Sequence, residues 1–152
     1  MKAEAKLAEL KLELPAAPVP LANYVRTVRV GNLLFVSGHG PQRDGKMQSV
    51  GKLGKDLTVQ DGYKAAQLVC LNCLASVKNE LGDLDRVKRV VKLLGMVNCT
   101  PDFEQQPEVI NGASDLLVQL YGDSGRHARS AVGMGSLPRN ISVEIEMIME
   151  VE

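Results

Sequence analysis

The sequence has few aromatic side chains and no excess charge of either sign. Only 3% of its 152 residues are Phe, Trp or Tyr, and 18 basic residues balance 18 acidic ones. Proteins that bind nucleic acid usually present a basic surface with aromatic rings on which bases stack. We therefore do not expect a nucleic-acid partner.

Long apolar segments are also missing. No run approaches the roughly 20 residues that a membrane-spanning helix needs, and the first residues contain no apolar signal core. These absences predict a cytoplasmic protein without a membrane partner. The length and the ordinary globular composition predict a single domain over residues 1–152, in which residues 1–22 form a short helix and a proline-rich lead-in.

Cysteine is scarce and odd in number, which favours free thiols over a disulfide framework. Cys70 and Cys73 form a C-x-x-C pair, but the pair falls on an apolar stripe in the middle of a predicted helix. A zinc site would need further ligands, and His39 and His127 are the only histidines. We predict that both cysteines pack in the core and that no metal is bound.

The apolar periodicity and the turn signals predict the order β-β-α-β-α-β-β. The predicted helices cover 2–10, 59–81 and 105–121, the predicted strands cover 26–30, 33–37, 86–97, a segment starting at 129, and 142–151, and residues 42–56 form a loop with a small irregular strand near Ser49. A hairpin at each end and two helical crossovers predict an α+β fold, with one mixed sheet and its two long helices on one face.

The other face of this sheet would be left open, with apolar residues such as Ile148 on it. One-sided sheets of this size often bury the second face against copies of the same chain, in closed cyclic assemblies. We therefore predict a homo-oligomer.

The last quarter of the chain carries the strongest chemical signal. Arg129 starts an apolar strand, and Glu144, Glu146 and Glu150 recur at strand spacing, so these glutamates share one face of their strand. We expect Arg129 to meet a carboxylate on the same side of the sheet. A guanidinium suits bidentate binding of a small carboxylate, and Glu144 suits the handling of a proton or a water. An exposed charge or an ion pair is the alternative interpretation of Arg129.

The order and spacing of several short motifs resemble the Rid family of reactive intermediate deaminases, also called YjgF-like proteins. The motifs are Asn23-Tyr-Val, residues 31–38, Val109-Ile-Asn, Ala128-Arg-Ser, Leu137-Pro and residues 143–146. The resemblance implies a fold like that of bacillus-type chorismate mutase. It also implies a homotrimer with clefts between its subunits.

The resemblance further implies a hydrolase that converts enamines and imines such as 2-aminoacrylate to 2-keto acids and ammonium, without a cofactor. Arg129 matches the arginine that binds the substrate carboxylate, and Glu144 matches the glutamate near the attacking water. The other implied substrate contacts are Tyr24, Ser37, Gly38, Asn111 and Ala131. Ala131 stands where the family often has cysteine, and His39 and Gly40 also depart from the usual residues. A non-catalytic protein that binds small carboxylates is the alternative function, and an endoribonuclease or translation inhibitor is a more distant one.

Overall fold

The computed structural model describes residues 3–20 and 22–152; Lys2 of the predicted first helix and Leu21 of the lead-in lie outside this part of the chain. The helices are α1 (Ala3–Glu9), α2 (Val59–Leu81) and α3 (Gln106–Tyr121), and the strands are β1 (Thr27–Val30), β2 (Leu33–His39), β3 (Gln42–Arg43), β4 (Lys46–Met47), β5 (Val87–Asn98), β6 (Ala128–Met134) and β7 (Val143–Val151). The two long helices and the five long strands were all predicted from the sequence, with small differences at their ends.

Helix α2 begins and ends at the predicted residues. The Thr58 hydroxyl accepts a hydrogen bond from the Asp61 backbone N–H (3.1 Å), and the Asp61 carboxylate accepts one from the Thr58 N–H (2.9 Å), which forms a capping box. Gly82 ends the helix in the left-handed conformation.

Cys70 and Cys73 are fully buried on α2, and burial raises the pKa of both thiols. Their predicted packing in the core is confirmed.

The five long strands form one mixed sheet in the order β1-β2-β7-β5-β6. Strand β7 pairs antiparallel with β2 and β5, whereas β6 pairs in parallel with β5. The predicted hairpin between the two C-terminal strands is therefore wrong, because β5 lies between them. Parallel neighbours need a crossover connection, and α3 supplies it for β5 and β6.

The sheet has one covered face and one open face. Buried residues of alternate positions, such as Leu34, Leu93 and Ile145, pack against α2 and α3, so the predicted placement of both long helices on one face is confirmed. The opposite face carries an apolar patch, which we call the open-face patch: Val28, Val30, Leu33, Phe35 and Ile148. Within the described part of the chain no helix covers this patch.

The segment predicted as a loop contains a small hairpin. Strands β3 and β4 pair around Asp44 and Gly45, whose φ values of 53° and 76° are both positive, as a tight two-residue hairpin turn requires. Strands of two residues are too short to show an alternating pattern in the sequence. The irregular strand predicted near Ser49 is a single bridge between Val50 and Ile141.

Gly112 on α3 allows α2 and α3 to pack closely. A Cβ atom at this position would lie 2.0 Å from the carbonyl oxygen of Tyr63. We therefore expect Gly112→Ala to lower the free energy of unfolding by about 2 kcal/mol or more in urea denaturation. Gly135→Ala is the control, because the Cβ atom that alanine adds there would have no neighbouring atom within 4 Å. Equal unfolding midpoints for the two variants would contradict the close packing.

Candidate functional site

A cleft of about 570 Å³ lies between the lead-in, β2 and the start of β7. Four of the residues predicted for the site line it: Tyr24, Ser37, Gly38 and Glu144. We call it the glutamate cleft. It is also lined by Arg26, His39, Arg139 and Glu146, among others.

An irregularity in β2 brings the Ser37-Gly38 backbone up to Glu144. The pairing of β2 with β7 shifts register between Val36 and His39, as at a β-bulge. The Ser37 hydroxyl donates to the Val25 carbonyl oxygen (2.7 Å), which fixes this turn against the lead-in. A Cβ atom on residue 38 would lie 2.4 Å from Oε2 of Glu144. A glycine at this position therefore makes room for the carboxylate.

Glu144 is half-buried in the glutamate cleft. Burial raises the pKa of its carboxyl above the ordinary value, and the nearby Glu146 carboxylate raises it further. A carboxyl group with a raised pKa holds a proton closer to neutral pH than an exposed one does. Such a group is suited to take a proton from water and to return it later.

His39 links the Ser37-Gly38 segment of the cleft to helix α2. Its Nδ1 lies 2.5 Å from the Ser37 carbonyl oxygen, and its Nε2 lies 2.8 Å from the hydroxyl of buried Ser76 on α2. Since a carbonyl oxygen only accepts hydrogen bonds, we assign the proton to Nδ1, and Ser76 donates to Nε2. Burial lowers the pKa of His39 and the Arg26 charge also lowers it, against the opposing effect of the bond to Ser37. Sequence reasoning weighed His39 as a zinc ligand and as a departure from the usual family residues, and it did not predict this supporting role.

The connection from β6 to β7 brings Arg139 to the cleft. Arg139 and Asn140 have φ values of 57° and 59°, in the left-handed region that costs energy for residues other than glycine. The fully buried Asn98 side chain donates to Oδ1 of Asn140 (2.9 Å) and to the Ile141 carbonyl oxygen (3.1 Å), and thereby holds this turn. The Lys52 ammonium in turn donates to Oδ1 of Asn98 (2.8 Å). Sequence reasoning missed this network, because its members are far apart in the chain.

Arg129 lies in a second cluster, which we call the arginine group: Arg129, Asn111, Ser114 and His127. Its Nη1 donates to Oδ1 of Asn111 (2.8 Å) and to the hydroxyl of Ser114 (3.2 Å), both on α3. The Nε2 atom of His127 lies 2.9 Å from the same hydroxyl, and its Nδ1 lies 2.7 Å from the Gly125 carbonyl oxygen. Asn111 was predicted for the site, whereas the part of Ser114 was missed.

The two clusters lie on opposite faces of the sheet. Arg129 pairs in register with Leu93 of β5, whose side chain is buried beneath the helices, so Arg129 lies on the helix-covered face. Glu144 pairs with Met96 of β5 and lies on the opposite face. Two strand spacings and an offset of three residues also separate them, which amounts to roughly 14 Å. The expectation that Arg129 meets a glutamate on one side of the sheet is therefore wrong within a single chain. The alternation of side chains along a strand shows which residues share a face, but it does not show which of the two faces the helices cover.

Ala131 lies two residues beyond Arg129 on the same strand, and its partner in β5 is Gly95. It therefore shares the helix-facing side of the sheet with Arg129 and packs at the margin of the core. Of the predicted site residues, Arg129, Asn111 and Ala131 thus lie on one face, and Tyr24, Ser37, Gly38 and Glu144 line the cleft.

A family model described as "YjgF/chorismate_mutase-like, putative endoribonuclease" matches residues 4–151. The chain belongs to this YjgF family. The resemblance to Rid proteins and the chorismate-mutase-like fold are thereby confirmed. The match covers the lead-in and both clusters of candidate site residues.

Individual relatives agree with this membership. Protein TCP17 of Trypanosoma cruzi is 46% identical over 147 residues, which are 96% of this chain and 92% of the relative. A 2-iminobutanoate/2-iminopropanoate deaminase of Dermatophagoides farinae is 28% identical and covers 93% of this chain and 95% of its own length. The crystal structure of Atu1372 from Agrobacterium tumefaciens, a protein of unknown function, has 48% sequence identity and a TM-score of 0.93, over 99% of this chain and 92% of that chain.

Residues 3–20 and 22–152 were searched for clusters of metal-binding side chains and for helices that could cross a membrane. This part of the chain includes no group of three or more His, Cys, Asp or Glu side chains that could hold a metal ion. None of its helices is long and apolar enough to cross a membrane.

The raised pKa of Glu144 predicts a pH-dependent effect on stability. The ordinary pKa of this carboxyl is 4.5, and the folded chain keeps the proton to higher pH than the unfolded chain does. Between the two pKa values the native state binds more protons, so ionisation of Glu144 costs stability as the pH rises through this interval. We expect Glu144→Gln to gain more stability relative to wild type at about pH 7.5 than at about pH 3.5, in urea denaturation.

The matched control is Glu104→Gln, which changes an exposed carboxylate in the loop before α3. It should show no comparable difference between the two pH values. A gain for Glu144→Gln that is the same at both pH values would contradict the assigned burial of the charge.

Proposed function

We propose that this protein is an enzyme that hydrolyses 2-imino acids and their enamine tautomers, such as 2-aminoacrylate, to 2-keto acids and ammonium. The supporting observation is the presence, in one chain, of a half-buried carboxyl group on Glu144 and of a guanidinium on Arg129 that bonds to α3 through Nη1 alone. Of the three guanidinium nitrogens of Arg129, only Nη1 makes hydrogen bonds to the described residues. Its Nε and Nη2 therefore remain available for a bidentate bond to a substrate carboxylate.

A proton from solvent first converts the imine, at nitrogen, or the enamine, at the carbon beta to nitrogen, to the iminium, which then adds one water and releases one ammonium ion. Glu144 takes a proton from water as the water oxygen attacks the iminium carbon, which forms a carbinolamine. Glu144 then passes this proton to the amine nitrogen, and the C–N bond breaks. The departing ammonia takes up the remaining hydroxyl proton and leaves as ammonium, so that a 2-keto acid remains. The positioning of water and substrate together with one proton-transfer group suits a bond that hydrolyses readily.

The complete site in this proposal lies between two subunits of a homotrimer. One subunit contributes Tyr24, Ser37, Gly38 and Glu144, and its neighbour contributes Arg129, Asn111 and Ala131. The location of these two sets on opposite faces of the sheet supports this arrangement. The exposed side chains of the open-face patch support association with further copies, because such a patch is usually covered.

The name of the D. farinae relative supports deamination as the chemistry. Ala131 keeps a backbone carbonyl at the position where the family often has cysteine, and the proposed steps need no thiol. A non-catalytic protein of this fold would instead bind 2-keto acids without accelerating the loss of imine. Cleavage of RNA receives less support from a chain with no net charge and 3% aromatic residues.

Replacement of Arg129 tests the carboxylate contact. With 2-imino acids generated by an amino-acid oxidase, we expect Arg129→Ala to lower kcat/KM for imine loss by about 100-fold or more, and Arg129→Lys to retain part of the activity. The control is Arg126→Ala, which removes an exposed arginine from the turn just before β6. Wild-type rates in Arg129→Ala would refute the assignment. Binding of pyruvate by the wild type without acceleration would identify the non-catalytic alternative.

Mixing of subunits tests where the site is completed. Arg129→Ala and Glu144→Gln should each be nearly inactive alone. When equal amounts are unfolded and refolded together, about a quarter of the clefts in randomly mixed trimers would combine two wild-type halves. We therefore expect about a quarter of the wild-type activity to return. If each site lay within one chain, no mixture of the two variants would regain activity.

A further inference from the structure

Ser114 connects Arg129 to His127. Its hydroxyl oxygen lies 3.2 Å from Nη1 of Arg129 and 2.9 Å from Nε2 of His127. The other ring nitrogen of His127, Nδ1, lies 2.7 Å from the carbonyl oxygen of Gly125. The arginine, the serine and the histidine thus form one chain of hydrogen bonds, which ends on the backbone of the turn before β6.

The proton directions along this chain follow from its two ends. A carbonyl oxygen only accepts, so Nδ1 of His127 carries the ring proton and Nε2 presents a lone pair. A guanidinium only donates, so the hydroxyl oxygen of Ser114 accepts from Arg129. The single Ser114 proton is then directed at Nε2. Hydrogen bonds aligned in this way polarise one another, so the histidine strengthens the bond between the serine and the arginine.

The chain of hydrogen bonds determines which edge of the guanidinium is available. Arg129 lies on β6, an edge strand of the sheet, and its long side chain has several rotatable bonds. Asn111 and Ser114 are one helical turn apart on α3, and both accept from Nη1. Two acceptors on one nitrogen restrict rotation of the planar group. The opposite edge, formed by Nε and Nη2, then keeps one orientation.

We propose that Ser114 and His127 are positioning residues that orient the Arg129 guanidinium for a carboxylate without touching the substrate themselves. The proposal rests on the proposed function of Arg129 as the carboxylate-binding residue. A purely structural role is the rival interpretation, in which His127 only anchors the turn before β6 and affects Arg129 no more than it affects the rest of the domain.

Two substitutions of His127 separate the loss of the acceptor from the loss of packing. His127→Phe keeps a planar ring but has no nitrogen, whereas the amide oxygen of His127→Gln can still accept from Ser114. We expect His127→Phe to weaken pyruvate binding and to raise KM for imino acids by about fivefold to tenfold, with kcat nearly unchanged. His127→Gln should stay within about twofold of wild type for both quantities.

A second background makes the test specific to orientation. The ammonium of Arg129→Lys has no plane to orient, so His127→Phe should cause no further loss in that background. The matched control is Tyr63→Phe, which removes the bond from Tyr63 to Asp115 (2.7 Å) on the same helix α3. This control should leave both KM and pyruvate binding unchanged.

Wild-type pyruvate binding in His127→Phe would overturn the proposal. An equal loss from His127→Phe in the wild-type and Arg129→Lys backgrounds would also overturn it, because the effect would then be structural. Nuclear magnetic resonance of the Arg129 side-chain N–H groups gives a readout that does not depend on activity. We expect rotation about the Nε–Cζ bond to be faster in His127→Phe than in wild type, and an unchanged rate would refute the positioning role. If the wild type neither binds pyruvate nor hydrolyses imines, the proposed function fails, and the rotation rates still decide whether His127 orients Arg129.

Discussion

Strand β5 is hydrogen-bonded along both of its edges, in parallel to β6 and antiparallel to β7. The parallel pair exists because α3 carries the chain back across the covered face of the sheet. This arrangement leaves β6 at the edge, with α3 packed beside it. Arg129 therefore meets Asn111 and Ser114 on the helix, and it is separated from the glutamates of β7 by a whole strand. The division of the candidate site into two clusters follows from this pairing.

In each cluster a histidine hydrogen-bonds to a residue that adjoins the charged side chain. His39 contacts the Ser37 backbone beside Glu144, and His127 contacts the Ser114 hydroxyl beside Arg129. In both cases one ring nitrogen bonds to a backbone carbonyl oxygen and the other to a serine hydroxyl. Burial lowers the pKa of both histidines, which favours the neutral imidazole that these bonds require. The histidines are therefore better suited to hold the local structure than to transfer protons to a substrate.

Membership of the YjgF family establishes the fold, while one fold can carry different chemistries. The function therefore has to be argued from the residues of the site. An arginine whose Nε and Nη2 edge makes no bond to the described residues suits a carboxylate, and a half-buried glutamate with a raised pKa suits the activation of water. Neither step depends on the thiol that Ala131 replaces. The proposed imine hydrolysis thus uses groups that this chain has retained.

Local patterns in the sequence predicted a large part of the fold. The bounds of the helix over 59–81 and its apolar stripe containing Cys70 depend only on neighbouring residues, and the structure confirms both. The short hairpin around Asp44 was missed, because two-residue strands have no detectable period. The family motifs also identified Arg129 and Glu144 as candidates, although no local pattern revealed their partners.

Local patterns along the chain were enough to predict the helices, the long strands, the buried cysteines and the chemical groups available at the site, because hydrogen bonds and side-chain periodicity within an element are local. Three features became visible only in the folded chain: β5 separates β6 from β7, Arg129 faces α3, and Asn98 holds the turn at Asn140. These features depend on contacts between residues distant in the chain. Alternation along a strand gives two sets of side chains, and packing against the helices decides which set is buried.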